Sequence, residues 1–206
     1  MKIESIINYE MDQNTYIVSE DGDAVVIDPG CRGEQAAEFC RGRGLSLQYI
    51  LLTHCHYDHI AGANELKELT GAKIVCGREC ARALLDPVVN LSEAFCNHPL
   101  LVYADVVLAD GETVTAGNMS FRLLETPGHT ADSVCYVTED AVFTGDTVFR
   151  MNVGRWDLPT GSQEALERSI RERVYALDPR LEVYPGHGAK SSVGYEMRYN
   201  LYVKAK

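Results

Sequence analysis

The sequence has no apolar run of about 18 residues, the length at which a helix can cross a membrane, so we expect no membrane partner. Its first stretch, MKIESIINYEMDQ, carries Glu4 and Glu10 and has no long apolar centre. A secretion signal needs such a centre. We therefore expect a cytoplasmic protein.

Basic residues are scarce in this chain. It has 19 lysines and arginines against 30 aspartates and glutamates, which gives a formal net charge of −11. A general nucleic-acid binder needs a basic face that neutralises phosphates. We expect a small-molecule substrate and no nucleic-acid partner; the sequence does not indicate an oligomeric state.

The cysteines lack the pattern of a disulfide framework or of a zinc knuckle. Their number is odd, and without a secretion signal they are expected to be reduced thiols. Cys76 and Cys80 are four residues apart, but no second pair completes a metal site. The full set is Cys31, Cys40, Cys55, Cys76, Cys80, Cys96 and Cys135.

Linkers and low-complexity segments are also absent from the sequence. The 206 residues, of which 46% are hydrophobic, suffice for one good-sized core. Strand-like runs in each half of the chain end in polar turns, which indicates a two-sheet sandwich with helices outside. We expect residues 1–206 to form a single domain.

Histidine is rare as well, and its distribution is uneven. Three of the six histidines, His54, His56 and His59, lie with Asp58 inside the stretch THCHYDHIAG. An apolar run at residues 47–52 predicts a buried strand before this stretch, and residues 60–69 predict a helix after it. Side chains between a strand end and a helix start can converge on one point.

Two further histidines and one aspartate follow strand-like runs in Gly-containing turns. They are His129 in TPGHT, Asp146 in TGDT and His187 in YPGHG. Imidazole and carboxylate groups without a thiolate suit zinc, iron or manganese. We therefore predict a metal site. Only His98 lies outside this pattern, and we interpret it as an isolated surface histidine.

Two other segments carry predictions of their own. Residues 86–104 have little periodicity and are the expected place for a loop that contacts substrate. Residues 162–177 form the clearest amphipathic helix, with Ser162 as its N-cap. A helical stretch is also expected to run from the last strand to Lys206.

The ordered motifs described above, with the VIDPG turn at Asp28, resemble the metallo-β-lactamase superfamily. The resemblance implies an α/β fold, a four-layer αββα sandwich. Within that superfamily, TGDTVFRMNVGRWDLPTGS and YPGHGAKSSVGYEMRYN resemble segments of short glyoxalase II-like (hydroxyacylglutathione hydrolase-like) proteins. The chain ends where the full-length enzymes of that type add a glutathione-binding helical domain, so no separate C-terminal domain is expected.

The resemblance also implies a role for each matching residue. The first metal would be held by His54, His56 and His129. The second would be held by Asp58, His59 and His187. Asp146 would bridge the two ions, Asp28 would hold the histidine loop by accepting hydrogen bonds, and Tyr195 and Arg198 would reach the substrate.

Seven ligands are too many for one tetrahedral ion, so two divalent ions are expected, zinc first and iron or manganese as alternatives. A hydroxide held between them and oriented by Asp58 would cleave a thioester such as S-2-hydroxyacylglutathione. A thioester suits a site without a dedicated acid, because a thiolate is a good leaving group.

Other functions are compatible with the same motifs. A lactonase or other ester hydrolase would use the same two ions, whereas a persulfide dioxygenase would use a single iron. A β-lactamase is disfavoured because Asp146 stands where those enzymes commonly have cysteine. A non-enzymatic metal-binding module is the remaining alternative.

Overall fold

The computed structural model describes residues 1–95 and 99–205. The first half of the chain forms a six-stranded sheet. Its strands are β1 (Lys2–Asn8), β2 (Gln13–Glu20), β3 (Asp23–Ile27), β4 (Ser46–Leu51), β5 (Lys73–Gly77) and β6 (Val106–Leu108). They lie side by side in sequence order. Strands β1 to β3 are antiparallel, and β3 to β6 are parallel.

Helices connect these parallel strands, because a parallel pair needs a long crossover. They are α1 (Gly33–Gly42), α2 (Tyr57–Ile60), α3 (Ala63–Thr70), α4 (Arg78–Ala83) and α5 (Ser92–Phe95). Helices α1 and α3 bury Ala36, Ala37 and Leu66 in one cluster with Ile50 and Ile74 of the sheet. This cluster fills the space between the helices and the outer face of the first sheet.

The second half of the chain forms another six-stranded sheet, with the order β14-β13-β10-β9-β8-β7. Its strands are β7 (Thr113–Ala116), β8 (Met119–Glu125), β9 (Val134–Val137), β10 (Ala141–Gly145), β13 (Glu182–Pro185) and β14 (Ser191–Ser192). A short hairpin, β11 (Val148–Phe149) and β12 (Asn152–Val153), leaves the end of β10. The helices are α6 (Gln163–Ser169), which continues as a π-helix (Ile170–Val174), and α7 (Val193–Tyr199).

The two sheets pack face to face through alternate residues of their strands. The first sheet contributes Val25, Ile27 and Leu51, which meet Phe121 and Tyr136 of the second. A third cluster joins the opposite face of the second sheet to Leu166, Ile170 and Val174. Two sheets inside two helical layers confirm the predicted four-layer αββα sandwich.

Three predicted helices differ from the observed ones. The helix predicted at residues 60–69 begins only at Ala63, as α3, because α2 ends at Ile60 and Gly62 lies against the loop that follows β3. A Cβ at Gly62 would be 2.1 Å from the Cys31 carbonyl oxygen. Ser162 caps its helix as predicted, accepting from the Ala165 amide at 3.3 Å, but the helix becomes a π-helix at Ile170. The predicted helical stretch to Lys206 is wrong, because α7 ends at Tyr199.

Among the helices of residues 1–95 and 99–205, none is long and apolar enough to cross a membrane.

Candidate metal centre

Five strand ends deliver the candidate ligands to one edge of the sandwich. Asp28 follows β3, the segment of residues 53–59 follows β4, and His129 lies beyond β8. Asp146 follows β10, and His187 lies just beyond β13. Because the strands carry these residues at their carboxyl ends, residues as far apart as 28 and 187 meet.

The seven predicted ligands fall into two groups around one carboxylate. The first group is His54, His56 and His129, and the second is Asp58, His59 and His187; in each, the candidate ligand atoms lie within 4.8 Å of one another. Asp146 lies between the groups. Its Oδ2 is 3.5 Å from Nε2 of His129, and its Oδ1 is 3.3 Å from Nε2 of His59.

The histidine rings are oriented by oxygen atoms outside the groups. The Nδ1 atoms of His129 and His187 lie 2.6 Å and 2.8 Å from the Arg155 and Asp12 carbonyl oxygens. A histidine that donates from Nδ1 presents the lone pair of Nε2 to a metal ion. In both residues Nε2 faces the carboxylates of the site.

Asp28 organises the histidine segment through three hydrogen bonds. Its Oδ1 accepts from the Thr53 amide at 2.8 Å, and its Oδ2 accepts from the Thr53 hydroxyl at 2.6 Å and from Nδ1 of His59 at 2.9 Å. The Thr53 hydroxyl in turn accepts from Nδ1 of His54 at 3.0 Å. Asp28 therefore contacts the segment that carries the candidate ligands, and its role in holding that segment for a metal stays a prediction.

The donor set fits a divalent cation. Nε2 of His54 and Oδ1 of Asp146 are buried and make no hydrogen bond. An unsatisfied buried polar atom costs about 1–3 kcal/mol, and a bound cation would satisfy both atoms. The backbone leaves room for this arrangement at Gly186, where a Cβ would be 2.3 Å from Oδ1 of Asp146.

The electrostatics of the groups differ. Burial lowers the pKa of His54 well below its usual value and that of His56 to about 3, so both rings are neutral at physiological pH. Burial also opposes a charge on His59, but the carboxylates of Asp146, Asp58 and Asp28 outweigh it and raise the pKa of His59. The second group is therefore more negatively charged than the first, and a negatively charged group of ligands favours binding of a cation.

Asp146 is ionised despite its burial. Burial alone would raise the pKa of its carboxyl, but His59, His129 and His187 outweigh burial and hold the pKa well below its usual value. In the same way His59 and His187 lower the pKa of Asp58 against the effect of burial. Two carboxylates therefore face the site in their charged form.

We expect removal of divalent ions by a chelator to lower the melting temperature by roughly 5–10 °C. An ion present at about 100 times its Kd stabilises a fold by about 2.7 kcal/mol, and each kcal/mol shifts Tm by about 2–4 °C at this chain length. Differential scanning fluorimetry before and after chelation, with elemental analysis of both samples, measures this shift. Equal Tm values in samples that differ in metal content would contradict the fit.

An open cavity of about 340 Å³ gives access to the centre. Its lining includes five of the candidate ligands, namely His56, Asp58, His129, Asp146 and His187. A cavity of about 410 Å³ beside it is lined by residues 152–157 and Tyr202 and includes none of the seven. The cavity of about 340 Å³ is the candidate substrate site, because five candidate ligands line it and none lines the cavity of about 410 Å³.

Tyr195 and Arg198, predicted to reach the substrate, do not line this cavity. The Tyr195 hydroxyl lies 3.4 Å from Sδ of Met151, and the Arg150 guanidinium is 5.3 Å from the centre of the Tyr195 ring. The Arg198 guanidinium lies 5.4 Å from the ring of Tyr199. Their substrate role stays a prediction, and His98 lies outside the described residues.

One buried carboxylate at the site was not predicted. Asp132, which is 4% exposed, accepts from the Cys55 amide at 2.9 Å and lies 3.5 Å from the Cys55 thiol. Cys55 separates His54 from His56, so Asp132 fixes the backbone between two candidate ligands. The signal in the sequence is weak: a charged residue three positions after His129.

We expect Asp132→Ala to weaken metal binding about 10–100-fold, the usual cost of removing a group that orients ligands. Asp132→Asn keeps an acceptor for the Cys55 amide and is expected to lose less. Competition with a chromophoric chelator measures the affinity, and Asp140→Asn, in an exposed turn, is the matched control. Wild-type affinity in Asp132→Ala would show that Cys55 needs no such anchor.

A four-layer sandwich with histidine and carboxylate groups at one edge is the architecture of a metallo-hydrolase. The sequence profile of the Metallo-beta-lactamase superfamily matches residues 8–187. The chain belongs to this superfamily, which confirms the predicted resemblance.

The relatives extend over nearly the whole chain. The protein is 31% identical to the hydroxyacylglutathione hydrolase GloC of Haemophilus influenzae, with 100% of each chain covered. It is similar to the structure of the BLEG-1 B3 metallo-beta-lactamase, with a TM-score of 0.92, 30% identity and coverage of 98% and 99%.

Two further structures bear on the metal. The structure of TTHA1623 in a di-iron-bound form is similar at a TM-score of 0.85, with 28% identity and coverage of 98% and 100%. That of ETHE1 from Myxococcus xanthus is similar at 0.82, with 30% identity and coverage of 98% and 84%. These proteins share the fold of this chain but bear different names, and one of the structures is described as di-iron-bound, so the substrate has to be argued from the site.

Proposed function

We propose that this metallo-hydrolase cleaves thioesters, for example an S-2-hydroxyacylglutathione, on a dinuclear site, as a single domain of residues 1–206. The observation that carries the proposal is the pair of ligand groups on either side of Asp146 at the floor of an open cavity. The likeness to a hydroxyacylglutathione hydrolase over both full chains supports it.

The ligands in this proposal are those predicted from the sequence. The first ion would be held by His54, His56 and His129, the second by Asp58, His59 and His187, and both would share Asp146. Two divalent ions, zinc in our proposal, would supply an activated water at neutral pH and polarise the scissile carbonyl.

Asp58 is the residue of this chain that we assign to orienting the attacking water. Its side chain is 20% exposed toward the cavity, and its Oδ2 lies 3.2 Å from Nε2 of His187. Because its pKa is lowered, the carboxylate is charged and can accept a hydrogen bond from water. The thiolate leaves without a proton, since a free thiol has a pKa of about 8.5.

The test combines metal content with turnover on one sample. Elemental analysis is paired with assays of S-lactoylglutathione, a lactone and a β-lactam. Two metals per chain with preference for the thioester would support the proposal. Preference for the lactone would favour the ester-hydrolase alternative, and preference for the β-lactam would overturn the thioester assignment.

A mononuclear-iron persulfide dioxygenase is the second candidate. Asp146 Oδ2 lies 3.5 Å from His129 Nε2, and together with His54 they resemble the two-histidine, one-carboxylate set of non-haem iron oxygenases. One iron per chain, oxygen uptake with glutathione persulfide and no thioester turnover would favour this candidate instead.

A further inference from the structure

Among residues 1–95 and 99–205, those that line the 340 Å³ cavity beyond the candidate ligands are almost all apolar. This wall of the cavity consists of Met11, Leu91, Phe95, Phe149, Leu158 and Arg155. These residues come from separate segments: the turn after β1, the start and end of α5, the β11 strand and the loop after β12. The ring of Phe149 lies edge-on to that of His187, with ring centres 5.9 Å apart. The apolar wall therefore begins directly beside the reacting centre.

Leu91 is held in this wall by an unusual backbone. Its φ is +65°, a left-handed conformation that a branched side chain rarely adopts and that surrounding structure must enforce. Buried Asn90 supplies that structure: its side chain donates to the Leu100 carbonyl at 2.9 Å and accepts from the Ser92 amide at 2.9 Å. Strained residues of this kind concentrate at functional sites.

The same anchor fixes Leu91 relative to the ligands. The Asn90 carbonyl accepts from the amide of Tyr57, which lies between His56 and Asp58, at 2.8 Å. The backbone next to Leu91 is thus hydrogen-bonded to the ligand segment. Leu91 is a rigid part of the cavity wall rather than the tip of a free loop.

Within the part of the chain that the structure describes, Arg155 is the charged lining residue outside the ligand set, and it already has a partner. Nε and Nη2 of Arg155 bind the two carboxylate oxygens of Asp157 at 2.7 Å and 2.8 Å. This two-point pair with Asp157 occupies the edge of the guanidinium formed by Nε and Nη2. The wall therefore offers a substrate mainly apolar contact.

We infer that the acyl group selected by this site is apolar, with Leu91 and Leu158 as residues that determine specificity. This inference rests on the proposed thioester hydrolysis and names its substrate class. The acyl chain lies beside the centre because the attacked carbonyl belongs to it, and a hydrocarbon chain gains from leaving water for such a wall.

The test compares thioesters of one thiol, glutathione, that differ only in the acyl group. Each methylene that enters the wall is expected to raise kcat/KM up to about fourfold, the equivalent of about 0.8 kcal/mol. We expect at least about a tenfold rise from acetyl to hexanoyl. The sharpest pair is lactoyl against 2-methylpropanoyl, in which a methyl group replaces the hydroxyl, and the methyl compound is expected to be preferred.

The variant Leu91→Asn tests the polarity of the cavity wall without a change in the backbone conformation. Asparagine tolerates positive φ better than leucine does, so the loop is expected to keep its shape while the wall becomes polar. The rise from acetyl to hexanoyl should then fall to about threefold or less. Val88→Asn is the matched control, because Val88 lies on the same loop, is 57% exposed and does not line the cavity.

Leu158→Asn tests the part of the wall contributed by the loop after β12 independently if the first variant fails to fold. A flat acyl series, or a lactoyl thioester that outperforms its methyl analogue tenfold, would overturn the inference while leaving thioester hydrolysis intact. If no thioester is hydrolysed by a chain that carries two metals, the proposed function itself fails, and the inference fails with it.

Discussion

Replacing Asp146 by asparagine is expected to lower thioester hydrolysis by at least about a thousandfold while the chain remains folded. The side chain of Asp146 lies between the two ligand groups, 3.5 Å from Nε2 of His129 and 3.6 Å from Nε2 of His187. The negative charge of Asp146 therefore acts on both ligand groups. An amide of the same shape removes that charge and keeps the packing.

The size of this effect follows from what one charged group can contribute at a buried site. A single oriented dipole that stabilises transition-state charge is worth about 10²–10³ in rate, and a shared carboxylate also decides whether two ions can lie close together. The asparagine variant is therefore expected to lose metal as well as rate. Elemental analysis and kcat/KM on a thioester measure the two losses separately.

Asp140→Asn serves as the control for a lost carboxylate, since Asp140 lies in an exposed turn. A normal Tm in the metal-free Asp146→Asn protein would show that the variant folds. If that variant bound two metals and turned over thioester at the wild-type rate, the assignment of Asp146 as the shared ligand would be wrong.

The candidate ligands could be found from the sequence because each lies next to a strong local signal. His54, His56 and His59 follow a buried strand directly, and His129 and His187 lie in Gly-containing turns after strands. Local periodicity locates strand ends, and parallel topology brings their carboxyl ends to one edge. Function and fold were therefore encoded in the same short segments.

Most of the cavity wall could not be found in this way, although Leu91 and Phe95 lie within residues 86–104, the segment expected to contact substrate. Met11 and Phe149 are separated by more than half of the chain, and nothing in an isolated leucine or phenylalanine distinguishes a cavity wall from a core. Asp132 was missed for a related reason, since its partner Cys55 is 77 residues away. Such contacts are determined by the packing of loops, which cannot be inferred from the periodicity of the sequence.

The helix predicted to run to Lys206 was wrong because the side chain of Asn200 competes with the helical backbone for hydrogen bonds. The side chain of Asn200 accepts from the amides of Tyr202 and Val203 at 3.0 Å and 3.1 Å, which offers the backbone an alternative to the helix. The side-chain NH2 group of Asn200 donates to the Asn152 carbonyl at 2.9 Å. The residue thus ends α7 and ties it to the β11–β12 hairpin.

Replacing Asp28 separates its structural role from its role toward the metal. Asp28 is 2% exposed, and its φ is +49°. We expect Asp28→Ala to lower the free energy of unfolding by about 3–9 kcal/mol, because three buried donors lose their acceptor at about 1–3 kcal/mol each. Alanine at positive φ adds strain. Urea unfolding in the presence of a chelator measures this loss.

Asp28→Asn is expected to behave differently. Asparagine tolerates positive φ and can still accept from the Thr53 amide, so the loss of stability is smaller. Its NH2 group would face Nδ1 of His59, which must then accept a hydrogen bond. That tautomer carries its proton on Nε2, the atom that faces Asp146 at 3.3 Å. Metal affinity is therefore expected to fall about 10–100-fold.

The exposed turn residue Asp21 provides the control for the backbone. Its φ is +50°, so Asp21→Ala reports the cost of alanine in that conformation without the buried hydrogen bonds. If Asp28→Ala cost no more than Asp21→Ala, the three hydrogen bonds would not hold the ligand segment. If Asp28→Asn bound metal as tightly as the wild type, the tautomer of His59 would not depend on Asp28, and His59 would need another group to orient it.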